Sequence, residues 1–176
     1  MSMSGRERLP RLRGKMPGMQ SATTIERLGP GDIAQLRALN ELFARAFGDS
    51  VTYCAQPPND DYLRSLLGKE HIVVLVAMQT GTVVGGLVAY ELQKFERKRS
   101  EMYLYDLAVD EAHRRAGVAT NLIAHLQEIA ARRGAWVIFV QADYGDEPAI
   151  TLYEGLGVRE DVMHFDIELT PKRVRD

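Results

Sequence analysis

Apolar positions recur along this chain with two different periods. In IAQLRALNELFARAF (33–47), Ile33, Leu36, Leu39, Phe43 and Phe47 fall three or four residues apart, the spacing of one helical face. Gly29, Pro30, Gly31 and Asp32 break the chain before it and can supply its cap. PPNDDYLRSLL (57–67) predicts a shorter helix, capped by Asn59 or Asp60, with Tyr62, Leu63, Leu66 and Leu67 on its apolar side. A third helix carries Val118, Leu122, Leu126 and Ile129 on one face and stops at Gly134. PAITLYEGLG (148–157) predicts a fourth, with Pro148 in its first turn and Gly155 or Gly157 at its end.

Strand-like runs fill the gaps: TTIERL (23–28), HIVVLVAM (71–78), TVVGGLVAYEL (82–92), EMYLYDLAV (101–109), AWVIFVQA (135–142) and VMHFDIEL (162–169). Gln79–Gly81 is a hairpin signal between the second and third. AWVIFVQA is apolar almost throughout, as expected of a strand buried on both faces. The order is β-α-α-β-β-β-α-β-α-β, with no internal repeat and no second core. It predicts one α/β domain, residues 21–176, built on a mixed sheet.

With 176 residues, 45% of them hydrophobic and 26% charged, the chain is long enough for one sizeable core. No apolar run approaches the ~20 residues of a membrane helix. Residues 1–20 read as a basic, flexible tail with five bases against Glu7, and they lack the apolar stretch of a secretory signal. The single cysteine, Cys54, excludes an internal disulfide, and the expected location is the cytoplasm. The net charge of −2 hides an asymmetry: between Gln141 and Glu168 stand eight acids and one base, Arg159. Such a surface suits a cationic ligand and argues against nucleic acid. A solvated acidic face would read the same way. His113 and His164 make no metal pair at any standard spacing, and no metal site is expected.

HRRAGVAT (113–120) stands where a helix begins, yet it offers no Ser, Asp or Asn cap beside the start. A strand, a glycine turn and an uncapped helix together make an anion site. Free N–H groups point outward, the helix dipole adds positive character, and Arg114 and Arg115 add more. Gly117 lets the backbone approach a phosphate, and Ala119 keeps the next turn small. An ordinary strand-to-helix loop with solvated arginines is the other reading. The spacing is neither GxxxxGK[ST] nor GxGxxG.

RRAGVA resembles the R/Q-x-x-G-x-G/A signature of the GNAT superfamily of acetyl-CoA-dependent N-acetyltransferases, and the element order is also that family's. ITLYEGLGV is similar to its second motif, a helix with a tyrosine followed by G-[FIV]. Three longer stretches, KFERKRSEMYLYDLAV, VQADYGDEPAITLYEGLGVRE and VMHFDIE, resemble the GNAT-type aminoglycoside 3-N-acetyltransferases. The likeness runs from about Ile25 to Glu168.

The resemblance implies acetyl-CoA as cosubstrate, direct transfer without an acyl-enzyme, an aminoglycoside acceptor and hence antibiotic resistance, and a homodimer with no membrane or nucleic-acid partner. It implies a GNAT fold with a mostly antiparallel sheet. Leu107, Ala108 and Val109 would hold the pantetheine arm, and the amides of Arg115, Ala116, Gly117, Val118, Ala119 and Thr120 the pyrophosphate. The strands must splay for that arm, so a bulge is expected within 101–109. The Val109 N–H would face the thioester oxygen.

Asp106 would bind the ammonium or take its proton, or else serve a neighbouring loop. Tyr153 matches the family's tyrosine, a possible acid toward the thiolate, or else a packed core residue. Tyr105, Asp143, Tyr144, Asp146 and Glu147 would line the acceptor cleft, ranked above Asp166 and Glu168 on the last strand. Another polyamine, a protein amino terminus, or binding without catalysis remain alternatives.

Overall fold

The computed structural model describes residues 22–167. The basic tail and Glu168 lie outside that range. Strands β1 (Thr24–Arg27), β2 (Ile72–Gln79), β3 (Thr82–Gln93), β4 (Ser100–Val109) and β5 (Ala135–Val140) form one sheet in chain order. The pairs from β1 to β4 are antiparallel, and β5 runs parallel to β4. That single parallel step needs a long crossover, which α4 (Val118–Arg132) provides. The other helices are α1 (Ile33–Phe47), α2 (Ser50–Cys54), α3 (Asp60–Leu67) and α5 (Glu147–Glu154), with a 3-10 turn at Glu111–His113.

The sheet has a core on each face. Leu36, Leu39, Leu42 and Phe43 of α1, with Leu63 and Leu67 of α3, pack on Val74 and Val76. On the other face, Leu122, Leu126 and Ile129 of α4 pack on Val73, Leu75, Leu87, Met102 and Leu104. Fully buried leucines such as Leu39, Leu87, Leu122 and Leu126 each contribute roughly 1.5–3 kcal/mol of transfer free energy. The pair Gly85–Gly86 in β3 lets both layers come close. A Cβ at Gly86 would sit 2.5 Å from Leu39 Cδ1 and 2.7 Å from the Leu75 carbonyl. One at Gly85 would sit 3.1 Å from the Ala108 carbonyl oxygen and 3.2 Å from Val118 Cγ1.

The four predicted helices and the hairpin are present. Thr80 (φ 48°) and Gly81 (φ 79°) form the hairpin's two-residue turn, where positive φ at both positions matches the strand twist. Three features depart from expectation. The five-residue helix α2, capped by Asp49 accepting from the Thr52 N–H at 2.9 Å, is too short to show a period in sequence. Strand β5 is not buried on both faces but is a sheet edge, with Trp136 at 70% and Phe139 at 37% exposure. The described part of the sixth predicted strand, 162–167, joins no strand among the described residues and leaves Val162, Met163, Phe165 and Ile167 exposed.

Candidate active site

The register of β4 decides where its one carboxylate points. Val88 of β3 lies opposite Asp106, and the next residue, Ala89, lies opposite Leu104. Tyr105 is therefore the extra residue of a bulge, within the 101–109 window predicted for one. Met102 and Leu104 point into the core beneath α4. Strict alternation would send Asp106 to that same apolar core, where an unpaired charge is costly. The bulge reverses the phase. Leu107 and Val109 now face α4, while Ala108 joins the core beneath α1. Asp106 turns to the α1 side and meets α2.

There Tyr53 donates its hydroxyl hydrogen bond to Asp106 Oδ1 at 3.0 Å. Phe43 and Phe47 of α1 hold the Tyr53 ring, with centroids 5.7 and 5.8 Å away. Tyr90 and Tyr103 close in from either side of Tyr105 at 5.7 and 5.5 Å, and Tyr103 stacks on Phe139 at 4.8 Å. Burial pushes the Asp106 carboxyl above the ordinary range, and the Tyr53 hydrogen bond pulls partly the other way. The Tyr53 phenol is pushed far up, first by burial and then by the Asp106 charge, so it stays a donor. Tyr90 and Tyr103 are raised too, chiefly by burial. A half-buried carboxylate at the mouth of an aromatic wall can bind an ammonium group and accept a proton. Sequence reading named Tyr105 and Asp106 but missed Tyr53, Tyr90 and Tyr103. Tyr53 carries no local signal, since 53 residues separate it from its partner.

The predicted cofactor residues lie on the other edge of β4 and in the loop after it. The Asp110 N–H donates to the Val84 carbonyl at 2.9 Å. Antiparallel alternation then turns the N–H and C=O groups of Val109 and Leu107 away from β3. Pairing with β5 ends at Leu104 and Val140. Val140 is also the last residue of β5, so the Leu107 and Val109 backbone groups have no described strand beside them on that edge. Arg114 Nε donates to the Val109 carbonyl at 3.1 Å, tying the following loop to the strand end.

That loop ends at Gly117, which opens α4 in a left-handed conformation (φ 78°) with no side-chain cap. Arg115 is also left-handed, at φ 61°. Arg114, Arg115, Ala116, Gly117 and Thr120 are exposed, Ala119 is half-buried, and Val118 anchors the first turn in the core. Nothing lies within 4 Å of a Cβ built on Gly117. The first N–H groups of α4 thus face open space beside two arginines, which is an anion cradle. No group of three or more His, Cys, Asp or Glu that could hold a metal occurs among the described residues.

Tyr153 of α5 packs on the α4-side core that also takes Leu107, Val109, Ala119 and Val140. Burial, then the Asp146 charge, pushes its phenol up to about 12. The predicted acceptor acids are more scattered. Asp146 caps α5, accepting from the Ala149 N–H at 3.2 Å. Asp143, Tyr144 and Glu147 are exposed around it. Asp166 lies 3.1 Å from His164 Nε2, whose Nδ1 is 3.3 Å from the Gln141 amide. Gln141 in turn accepts from the Tyr103 hydroxyl at 2.7 Å.

The open edge of β4 and the uncapped helix fall within the match to a family model, "Acetyltransferase (GNAT) family", over residues 36–158. The chain belongs to the GNAT acetyltransferase family. This family uses acetyl-CoA. Among solved structures, the chain is 50% identical to an aminoglycoside acetyltransferase, HMB0005, from an uncultured soil metagenomic sample. That match has a TM-score of 0.83 and covers 85% of this chain and 99% of the other. A second soil metagenomic aminoglycoside acetyltransferase, meta-AAC0020 in complex with sisomicin, is 31% identical at TM-score 0.78, covering 84% and 97%. The curated "Probable N-acetyltransferase family 8 member 5" of Mus musculus is 29% identical over 134 residues. That alignment takes in 76% of this chain but only 59% of the relative's length.

Proposed function

We propose that this chain is an acetyl-CoA-dependent acetyltransferase that acylates the 3-amino group of the 2-deoxystreptamine ring of aminoglycosides and so confers resistance. The observation that carries this reading is Asp106, turned by the bulge out of the core and into an aromatic opening. The likeness to HMB0005 over nearly that protein's whole length supports it, as does sisomicin in the complex of meta-AAC0020.

The placement of the residues supports the following roles. Arg115 through Thr120 hold the pyrophosphate on the uncapped turn of α4, with Arg114 bracing the loop. Leu107, Ala108 and Val109 carry the pantetheine arm along the freed edge of β4. Asp106 binds the acceptor ammonium and takes its proton, and Tyr105 lends the ring a flat, electron-rich wall. The Val109 N–H donates to the thioester oxygen as it gains charge. Tyr153, kept protonated by burial, returns a proton to the leaving thiolate. Transfer is direct, in a ternary complex. Cys54 is exposed and takes no part. Asp143, Tyr144, Asp146, Glu147, Asp166 and Glu168 form an acidic rim for the remaining ammonium groups.

The functional unit is a homodimer. A second copy covers the open β5 edge and the exposed apolar residues of 162–167. A monomeric mass at micromolar concentration overturns this.

The deciding experiment measures acetyl-CoA consumption with gentamicin-type aminoglycosides, spermidine and an amino-terminal peptide. NMR then locates the acetyl group on the product. Highest kcat/KM for an aminoglycoside, with the acetyl at the 3-amino position, is the expected result. Acetylation elsewhere on the ring overturns the regiospecificity, and a preference for spermidine or peptide overturns the substrate class. Asp106→Asn keeps the shape without the charge, and kcat should fall by roughly 10²-fold or more.

A further inference from the structure

Helix α2 poses a question that fold stability does not answer. It has five residues, none of them buried, and it adds no strand to the sheet. Its cap at Asp49 and the packing of Tyr53 on Phe43 and Phe47 fix it against α1. The outcome of that arrangement is one hydrogen bond, Tyr53 to Asp106 Oδ1.

The environment of Asp106 makes that bond matter. The titratable groups facing it or its tyrosine neighbours are Tyr53 and Asp49 from α2, Tyr62 from α3, Tyr90 from β3, and Tyr103 and Tyr105 from β4. None is a cation. Burial disfavours the ionised carboxylate, and the Tyr53 hydroxyl is what opposes it. Removing a donor from a half-buried carboxylate therefore favours its protonated form.

We infer that Tyr53 is a positioning residue for Asp106: its hydroxyl occupies Oδ1, leaves Oδ2 to the acceptor amine, and holds the carboxylate ready to take a proton. This rests on the reading of Asp106 as the group that receives the amine's proton. The segment 50–54 thereby belongs to the acceptor site, although it contributes nothing to either core beyond the Tyr53 ring.

The test is the pH profile of kcat/KM for an aminoglycoside at saturating acetyl-CoA, in the wild type and in Tyr53→Phe, Phe47→Leu and Asp106→Asn. Tyr53→Phe keeps the ring packing and loses only the hydroxyl. Its acid limb should move to higher pH, with kcat/KM roughly tenfold below wild type on the acid side and converging on it at alkaline pH. Its KM for acetyl-CoA should not change. Phe47→Leu loosens the seat of α2 and with it the bond, so it should lower the Tm and move the limb in the same direction by less. A Tyr53→Phe profile parallel to wild type at every pH overturns the inference, whatever its height. If Asp106→Asn matches wild type, the role of Asp106 itself falls. If Asp106→Asn is inactive while Tyr53→Phe runs parallel to wild type, only the role of Tyr53 falls.

Discussion

Gly117→Asn separates two reasons for glycine at the start of α4. The residue is left-handed, with φ 78° and ψ 5°. Asparagine tolerates that region far better than branched residues do. A Cβ there meets no atom within 4 Å, so the folded chain has room for the side chain. Valine would confound the test, because left-handed backbone costs an ordinary residue roughly 1–2 kcal/mol. The asparagine side chain instead projects into the open space before the first turn of α4. The amides of Val118, Ala119 and Thr120 have no intrahelical acceptor there. Each charge-assisted bond to a pyrophosphate is worth about 1.5–3 kcal/mol. Blocking one or two of them should weaken coenzyme A binding by about 2–4 kcal/mol, roughly 30- to 1,000-fold in Kd. Calorimetric titration with coenzyme A and with pantetheine reads this directly. The loss should be confined to coenzyme A, with Tm close to wild type. Equal coenzyme A affinity in the variant would refute the placement of the pyrophosphate at this turn.

Two further changes test the frame of the site. Glu91 is 15% exposed and accepts from Ser100 Oγ and Arg133 Nη1, each at 2.7 Å. Burial alone raises its carboxyl, but these bonds outweigh it and hold it below the usual range. A depressed folded pKa stabilises above the unfolded pKa, and that contribution disappears as pH falls through the folded value. Glu91→Gln should therefore cost about 1.5–3 kcal/mol in urea unfolding at pH 7 and much less near pH 3; an equal cost at both pH values sinks the argument. At Asp146, Ala removes the α5 cap and should cost about 1 kcal/mol, whereas Asn caps equally well. Any loss of aminoglycoside affinity in Asp146→Asn is then charge alone, a few-fold at most for so exposed a group and smaller in high salt; a salt-independent loss would deny the acid an ammonium partner.

What the sequence disclosed tracks how local each cause is. The helices of 33–47 and 118–132 are written in their three- and four-residue spacing, and the hairpin in Thr80–Gly81. The uncapped start of α4 was legible as well, because a missing cap is a local property. AWVIFV misled for a physical reason: an apolar run reports what must be covered, not which molecule covers it. Trp136 and Phe139 stand on an edge that the described chain leaves open. Asp146 could have been recognised as a cap, since Pro148 two residues later marks a helix start. Tyr53 could not, because its partner is fixed by how α2 folds back over the sheet.

The bulge at Tyr105 joins these threads, because one extra residue performs two tasks. On the α1 side it turns Asp106 from the phase of Met102 and Leu104 into reach of Tyr53. On the β5 edge it marks the point where pairing ends, at Leu104, and the Leu107 and Val109 amides become free. A strand with unbroken alternation would have had Asp106 beneath α4, facing Leu122 and Leu126 across an apolar core. Composition cannot express this, since the same ten residues in register would carry the same pattern. The carboxylate on one side and the open strand edge on the other are both set by a single residue's offset.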